Sequence, residues 1–230
     1  MANQTPSINP ADESTLAGVL KTAIGKAMQA MDVMLPVEVV AYDRATNRAT
    51  VRHLVQMVGS DGEKVSRANI ASIRVYQFGN GSFSMSLPIK PGDKGWIMAA
   101  DRDISIFQQS LTEDAPNTAR MHSFQDGLFM PDAMSMGNVQ APDADAVTIQ
   151  TLDGNTRIAM GAAGITQTVG GASIAHTADE ITQTVGGTVF RQSASGFEFT
   201  GGPVDNNGTN IGFDHVHINA GGSGNSGPPL

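Results

Sequence analysis

Ile165-Thr166-Gln167-Thr168-Val169-Gly170-Gly171 recurs unchanged as Ile181-Thr182-Gln183-Thr184-Val185-Gly186-Gly187. The offset is sixteen residues. One step back lands on Ile149, one step forward on Phe197, and a further step on Phe213. Half-steps also start on apolar residues, at Ile158, Ile174 and Phe190. Apolar and polar residues alternate inside each segment, and glycines close many of them. This alternation predicts short strands with one buried face. A fixed period predicts a repetitive ladder of about two strands per repeat. Each strand offers only two or three apolar positions, while Thr, Gln, Ser and Ala fill the rest. A lone chain of this kind buries too little apolar surface to offset the entropy of ordering it. Several chains that share one core do better than a single-chain β-solenoid.

Beyond the ladder comes Phe213-Asp214-His215-Val216-His217, then a Gly/Ser/Asn run and Pro228-Pro229-Leu230. Histidines two apart on a strand project from one face. Two imidazoles hold a metal poorly. Three copies around a threefold axis supply six nitrogens, an octahedral set suited to a first-row transition metal. Six nitrogens disfavour zinc, which prefers four ligands. Spacing alone does not separate iron from nickel or cobalt. His215 and His217 are therefore the candidate metal ligands. A site filled by six ligands leaves no open position for water or substrate, so no catalytic residue is assigned and the chain is not expected to be an enzyme.

Upstream, the pattern changes twice. Residues 14–34 read as a helix, with Leu16, Val19, Leu20, Ala23, Ile24, Ala27, Met28 and Met31 on one stripe. Ser14 is its expected N-cap and Pro36 its stop. From Val37 to about Leu111 several strands alternate with turn-rich segments such as Asp43-Arg44-Ala45-Thr46-Asn47 and Pro91-Gly92-Asp93. About five antiparallel strands of this length suggest a small Greek-key barrel of the OB type. Residues 112–146 carry Pro116, Pro131 and Pro142 and read as an extended linker. The predicted organisation is thus an N-terminal arm and helix (1–35), an OB barrel (36–111), a linker (112–146), the repeat ladder (147–212) and a metal-binding apex (213–230). The fold class is mainly β.

Asp101 and Asp103 flank Arg102 just after a strand, and a carboxylate pair of this kind invites comparison with glycoside hydrolases. Local ion pairing or capping is the commoner use of such aspartates. His53 and His122 have no partner nearby in sequence and receive no role. His176 is read as a solvent-facing strand residue.

The 230 residues carry a net charge of −8 and no cysteine, and 5% are aromatic. The acidic balance argues against a nucleic-acid surface and against electrostatic adsorption to anionic lipid. Disulfides and thiolate metal sites are excluded. No segment reads as a transmembrane span or a signal sequence.

The chain resembles the central spike proteins of contractile-tailed bacteriophages, in particular the shorter, single-protein type. Gly92-Asp93-Lys94-Gly95-Trp96 with Asp101-Arg102-Asp103-Ile104 looks like the barrel signature of these spikes. His215-Val216-His217, followed by Gly221-Gly222-Ser223-Gly224 and Ser226-Gly227-Pro228-Pro229-Leu230, looks like their tip. The resemblance runs from Val37 onward and leaves the N-terminal helix unmatched. It implies an OB barrel followed by an intertwined trimeric β-helix with a pointed apex. It further implies one iron ion per trimer, on the threefold axis, held by His215 and His217 of three chains. The implied partners are two further copies of the chain, a baseplate hub docked at the N-terminal region, and the host outer membrane, which the spike punctures mechanically. No nucleic acid or small-molecule substrate is implied. The expected location is the tip of the tail baseplate in the virion, after synthesis in the host cytoplasm. A tail-fibre or adhesin stalk is the alternative, although no aromatic residue for sugar stacking follows His217. A cupin-type metalloenzyme needs a Glu and a further His after the pair, and neither follows.

Overall fold

The structure is a computed structural model that describes residues 15–59, 62–134 and 144–212. The chain divides into two compact units, residues 1–136 and 137–230. His215 and His217 lie outside the described residues.

The first unit opens with helix α1 (Leu16–Gln29), whose Thr15 is the N-cap: its hydroxyl accepts a hydrogen bond from the Gly18 amide at 3.0 Å. The cap is Thr15, not the expected Ser14, and the helix ends well short of residue 34. The backbone after Ala30 is already committed elsewhere. The Asp32 amide donates to the His122 carbonyl and the Ala99 amide to the Val33 carbonyl, so these residues start the barrel. Pro36 accordingly sits inside a strand, opposite Trp96, rather than stopping the helix.

The strands that follow are β1 (Met34–Asp43), β2 (Arg48–His53), β3 (Met57–Val58), β4 (Lys64–Val65), β5 (Ile70–Val75), β6 (Phe78–Gly79), β7 (Ser84–Met85), β8 (Lys94–Arg102) and, after helix α2 (Ser105–Ser110), β9 (Met121–Pro131). Five of them close into a barrel in the order β1-β2-β5-β9-β8. All pairs are antiparallel except β5 with β9. β3/β4 and β6/β7 are small hairpins outside it. Alternate residues point inward: Val37, Val39, Ala49, Val51, Ile73, Val75 and Ile97, joined by Phe124 and Phe129, form the buried core. Gly95 is fixed by this packing. A Cβ there would lie 2.3 Å from the Met130 carbonyl oxygen and 2.6 Å from the Phe129 ring, so only glycine lets the ring cross β8.

β9 lies within residues 112–146, where the sequence indicates a linker, and without it the barrel does not close. Its pattern is hard to read for physical reasons. His122 has a φ of +46° and Gly127 passes close under the Phe124 carbonyl, so the period of two is broken. Asp126, facing inward, is buried and takes two hydrogen bonds from Arg120, at 2.6 and 2.8 Å.

The second unit is a ladder. Strands β10 (Val147–Gln150), β11 (Thr156–Gly161), β12 (Gly164–Val169), β13 (Ala172–Thr177), β14 (Glu180–Val185), β15 (Thr188–Ser193) and β16 (Gly196–Thr200) form one antiparallel meander, each paired with its chain neighbour. Gly170 and Gly186, which start the two Gly-Gly turns, have φ of +56° and +58°, a conformation that glycine adopts without steric cost. Two strands thus occupy each sixteen-residue repeat. A last hairpin, β17 (Asp205–Asn206) and β18 (Thr209–Asn210), turns through Asn207-Gly208.

Candidate functional site

The ladder's register sorts its side chains into two different faces. Directly opposed residues share a face, so one row reads Ile149, Ile158, Gln167, Ile174, Gln183, Phe190 and Phe199. A second row on the same face reads Val147, Met160, Ile165, His176, Ile181, Gln192 and Phe197. None of these strand positions is Asp, Glu, Lys or Arg. Phe190 packs against Phe199 and Phe197 at centroid distances of 4.8 and 5.8 Å. The opposite face carries Thr148, Arg157, Thr166, Thr168, Ser173, Thr182, Arg191 and Glu198 in alternation with those rows. There the Arg191 guanidinium bridges Glu198 at 2.6 Å and Glu180 at 3.2 Å, and the two carboxylates raise its pKa.

Nothing in the described part of the second unit covers the apolar face. No described residue of this unit is buried. In β11 and β12 the apolar face is the more exposed of the two. Val185 and Phe197 are each 67% exposed and Val169 63%. A contiguous apolar sheet face of this extent marks an interaction surface. Both edges of each strand from β11 to β15 are already paired within the chain, so this face offers side chains and not free strand edges. His176 is exposed in the single chain as the sequence indicates, but it belongs to the apolar face. The signal was present in the sequence, because His176 follows Ile174 by two residues.

On the barrel, Asp101 and Asp103 have separate partners and do not form a carboxylate pair. Asp103 is buried and accepts hydrogen bonds from the Thr118 hydroxyl at 2.6 Å and the Ser105 amide at 2.9 Å, with Arg120 at 3.5 Å. These bonds, Thr118's above all, hold its carboxyl down at about 2. It anchors the entry to α2. Asp101 is exposed, 3.2 Å from His122 and 3.5 Å from Arg102.

One end of the barrel holds a cavity of about 520 Å³ lined by Asp32, His53, Arg67, Asn69, Phe124 and Gln125, among others. Arg67 pairs with Asp32 at 2.7 Å, and the His53 ring lies 5.1 Å from that of Phe124. Burial, helped by Arg67 and opposed by Asp32, pushes the His53 pKa below its ordinary value. The Asp32–Arg67 pair ties the segment after α1 to the barrel. Among the described residues no three His, Asp or Glu side chains form a metal-binding cluster, and no helix is long and apolar enough to cross a membrane.

No curated protein matches the chain. Residues 35–132, which run from β1 to just past β9, match the family model described as the phage protein Gp138 N-terminal domain. The matched segment coincides with the closed barrel, β9 included, and covers less than half of the chain. Over its barrel the chain is similar to a phage protein's N-terminal domain, which supports a phage structural protein.

Proposed function

We propose that the chain is the central spike of a contractile-tail baseplate, a homotrimer whose ladder forms the needle that punctures the host outer membrane. The observation that carries this reading is the exposed apolar face of the ladder. Three copies packed face to face supply one another with the core that each lacks, while their charged faces stay in water. The shared core then consists of side chains, with each chain keeping its own backbone ladder. The strand order β1-β2-β5-β9-β8, with β5 parallel to β9, supports an OB-type barrel in the first unit. The similarity of that barrel to a phage protein domain supports a place in the virion.

His215 and His217 of the three chains hold an iron ion at the apex. When bound, the ion would crosslink the three chains, and its binding energy would add to the stability of the assembly. The role is mechanical, and no reacting group is assigned. The N-terminal region docks the spike on the baseplate hub. Exposed Leu16, Leu20, Ile24 and Met28 on α1 suit such a contact.

Light-scattering mass with metal analysis on the purified, untagged protein tests the reading. The expected mass is about three times 24.0 kDa, with about one iron per three chains. A monomer sinks the spike. A trimer without stoichiometric iron removes the apex site and favours the fibre or adhesin stalk.

A further inference from the structure

We propose a second metal site inside the needle: the three His176 side chains of the trimer, converging on its axis, bind a divalent first-row transition ion. This rests on the threefold reading above. β13 places His176 directly between Ile165 on β12 and Ile181 on β14, in the apolar face. It is the one ionisable side chain among the described strand positions of that face. Its imidazole has no hydrogen-bond or ionic partner among the described residues of its own chain.

When three such faces meet, the imidazoles leave water. A buried polar group needs a partner, and the described residues of its own chain give His176 none. Three imidazoles at one level present three nitrogen lone pairs. That is the protein ligand set of three-histidine zinc sites, where water completes the tetrahedron.

The repeat adds an independent reason for a special residue at this level. His176 stands between the two identical heptads, residues 165–171 and 181–187. A chain that slips by one repeat against its neighbours sets one heptad beside the other at no cost. The same slip sets His176 beside Met160 or Gln192, its equivalents one repeat away. An ion that needs three histidines at one height therefore fixes the register that the heptads leave degenerate.

The test compares full-length wild type, His176→Gln and the double variant His215→Ala/His217→Ala. Each is loaded with zinc chloride, freed of excess metal and measured for mass and metal content. Gln is chosen because Gln192 already occupies the equivalent position on this face. The expected result is trimers throughout, with about one zinc per three chains in the wild type and double variant that His176→Gln lacks. Cobalt loading gives visible d–d absorption that His176→Gln also lacks. Zinc retained in trimeric His176→Gln at the wild-type level overturns the site, as does a trimeric double variant that takes up none. If the double variant does not assemble, the wild type and His176→Gln decide alone. A monomeric wild type overturns the threefold arrangement and this site with it, and the mass tells that failure apart from loss of the ion alone.

Discussion

In the barrel, alternate residues of β1, β2 and β5 bring Val37, Val39, Val51 and Ile73 to 1% exposure or less. In the ladder, the same alternation leaves most apolar side chains more than two-fifths exposed. The residue types differ little. The difference is closure. Five strands that return on themselves cover their own inner face, and each buried Val, Ile or Phe contributes about 1.5–3 kcal/mol. Seven strands in an open meander have two outer faces and no inside. Their backbone hydrogen bonds are made, but ordering each residue costs about 1–2 kcal/mol and little apolar burial offsets it. An alternating pattern therefore specifies a strand without specifying what covers it.

Charge on the ladder's apolar face is the strongest way to break this comparison. If the proposed trimer forms through this face, Phe190→Glu is expected to abolish it, since it would bury unpaired carboxylates in the shared core at a cost of several kcal/mol per chain. Thr182→Glu, on the polar face of the neighbouring strand, is expected to leave the mass unchanged. Light scattering on both variants separates the faces, and equal behaviour would contradict the assignment of a covered side.

In the barrel the corresponding change is Phe129→Ala, expected to cost about 3–5 kcal/mol through loss of the central side chain and the cavity left behind. Gly95→Ala, which drives a methyl group toward the Met130 carbonyl, is expected to cost about 1–3 kcal/mol. Thermal unfolding followed by the fluorescence of Trp96, the single tryptophan, reads both, with the wild-type mass preserved below the transition.

Asp103 sharpens the contrast through pH. Its pKa is depressed from the ordinary 3.8 to about 2. The stability it contributes is therefore fully present above pH 3.8 and is lost as the pH falls toward and through 2. Asp103→Asn is expected to flatten the barrel's unfolding temperature across that window while the ladder's acid response stays as in wild type. The smallest effect belongs to Thr15→Ala, about 0.5–2 kcal/mol confined to α1 and visible as a loss of helical circular dichroism.

The ladder's strands were legible because an exact heptad repeat fixes both the period and the turns. β1, β2, β5 and β8 were legible from the same alternation. β9 was not, because His122, Asp126 and Gly127 disrupt its pattern, and the buried Asp126 is satisfied by Arg120 only once the chain has folded. The end of α1 is not legible at Pro36, because the chain after Ala30 is held by long-range hydrogen bonds, from the Asp32 amide to the His122 carbonyl and from the Ala99 amide to the Val33 carbonyl. His176 was placed at a strand position, but its face follows from counting two residues back to Ile174. The candidate pair His215 and His217 lies outside the described residues and rests on the resemblance and on spacing. The local side-chain bonding of Asp103, here to the Ser105 amide, is legible in its sequence, whereas its bond to Thr118 is not.

The Gly-Gly turns also make the ladder a ruler. Each sixteen-residue repeat contributes two strands, and neighbouring strands lie about 4.8 Å apart, so one repeat sets about 10 Å of length. Duplicating a repeat lengthens the ladder by that step without a new fold to invent. Length is thereby decoupled from architecture, and a longer ladder needs only a copy of what is already there.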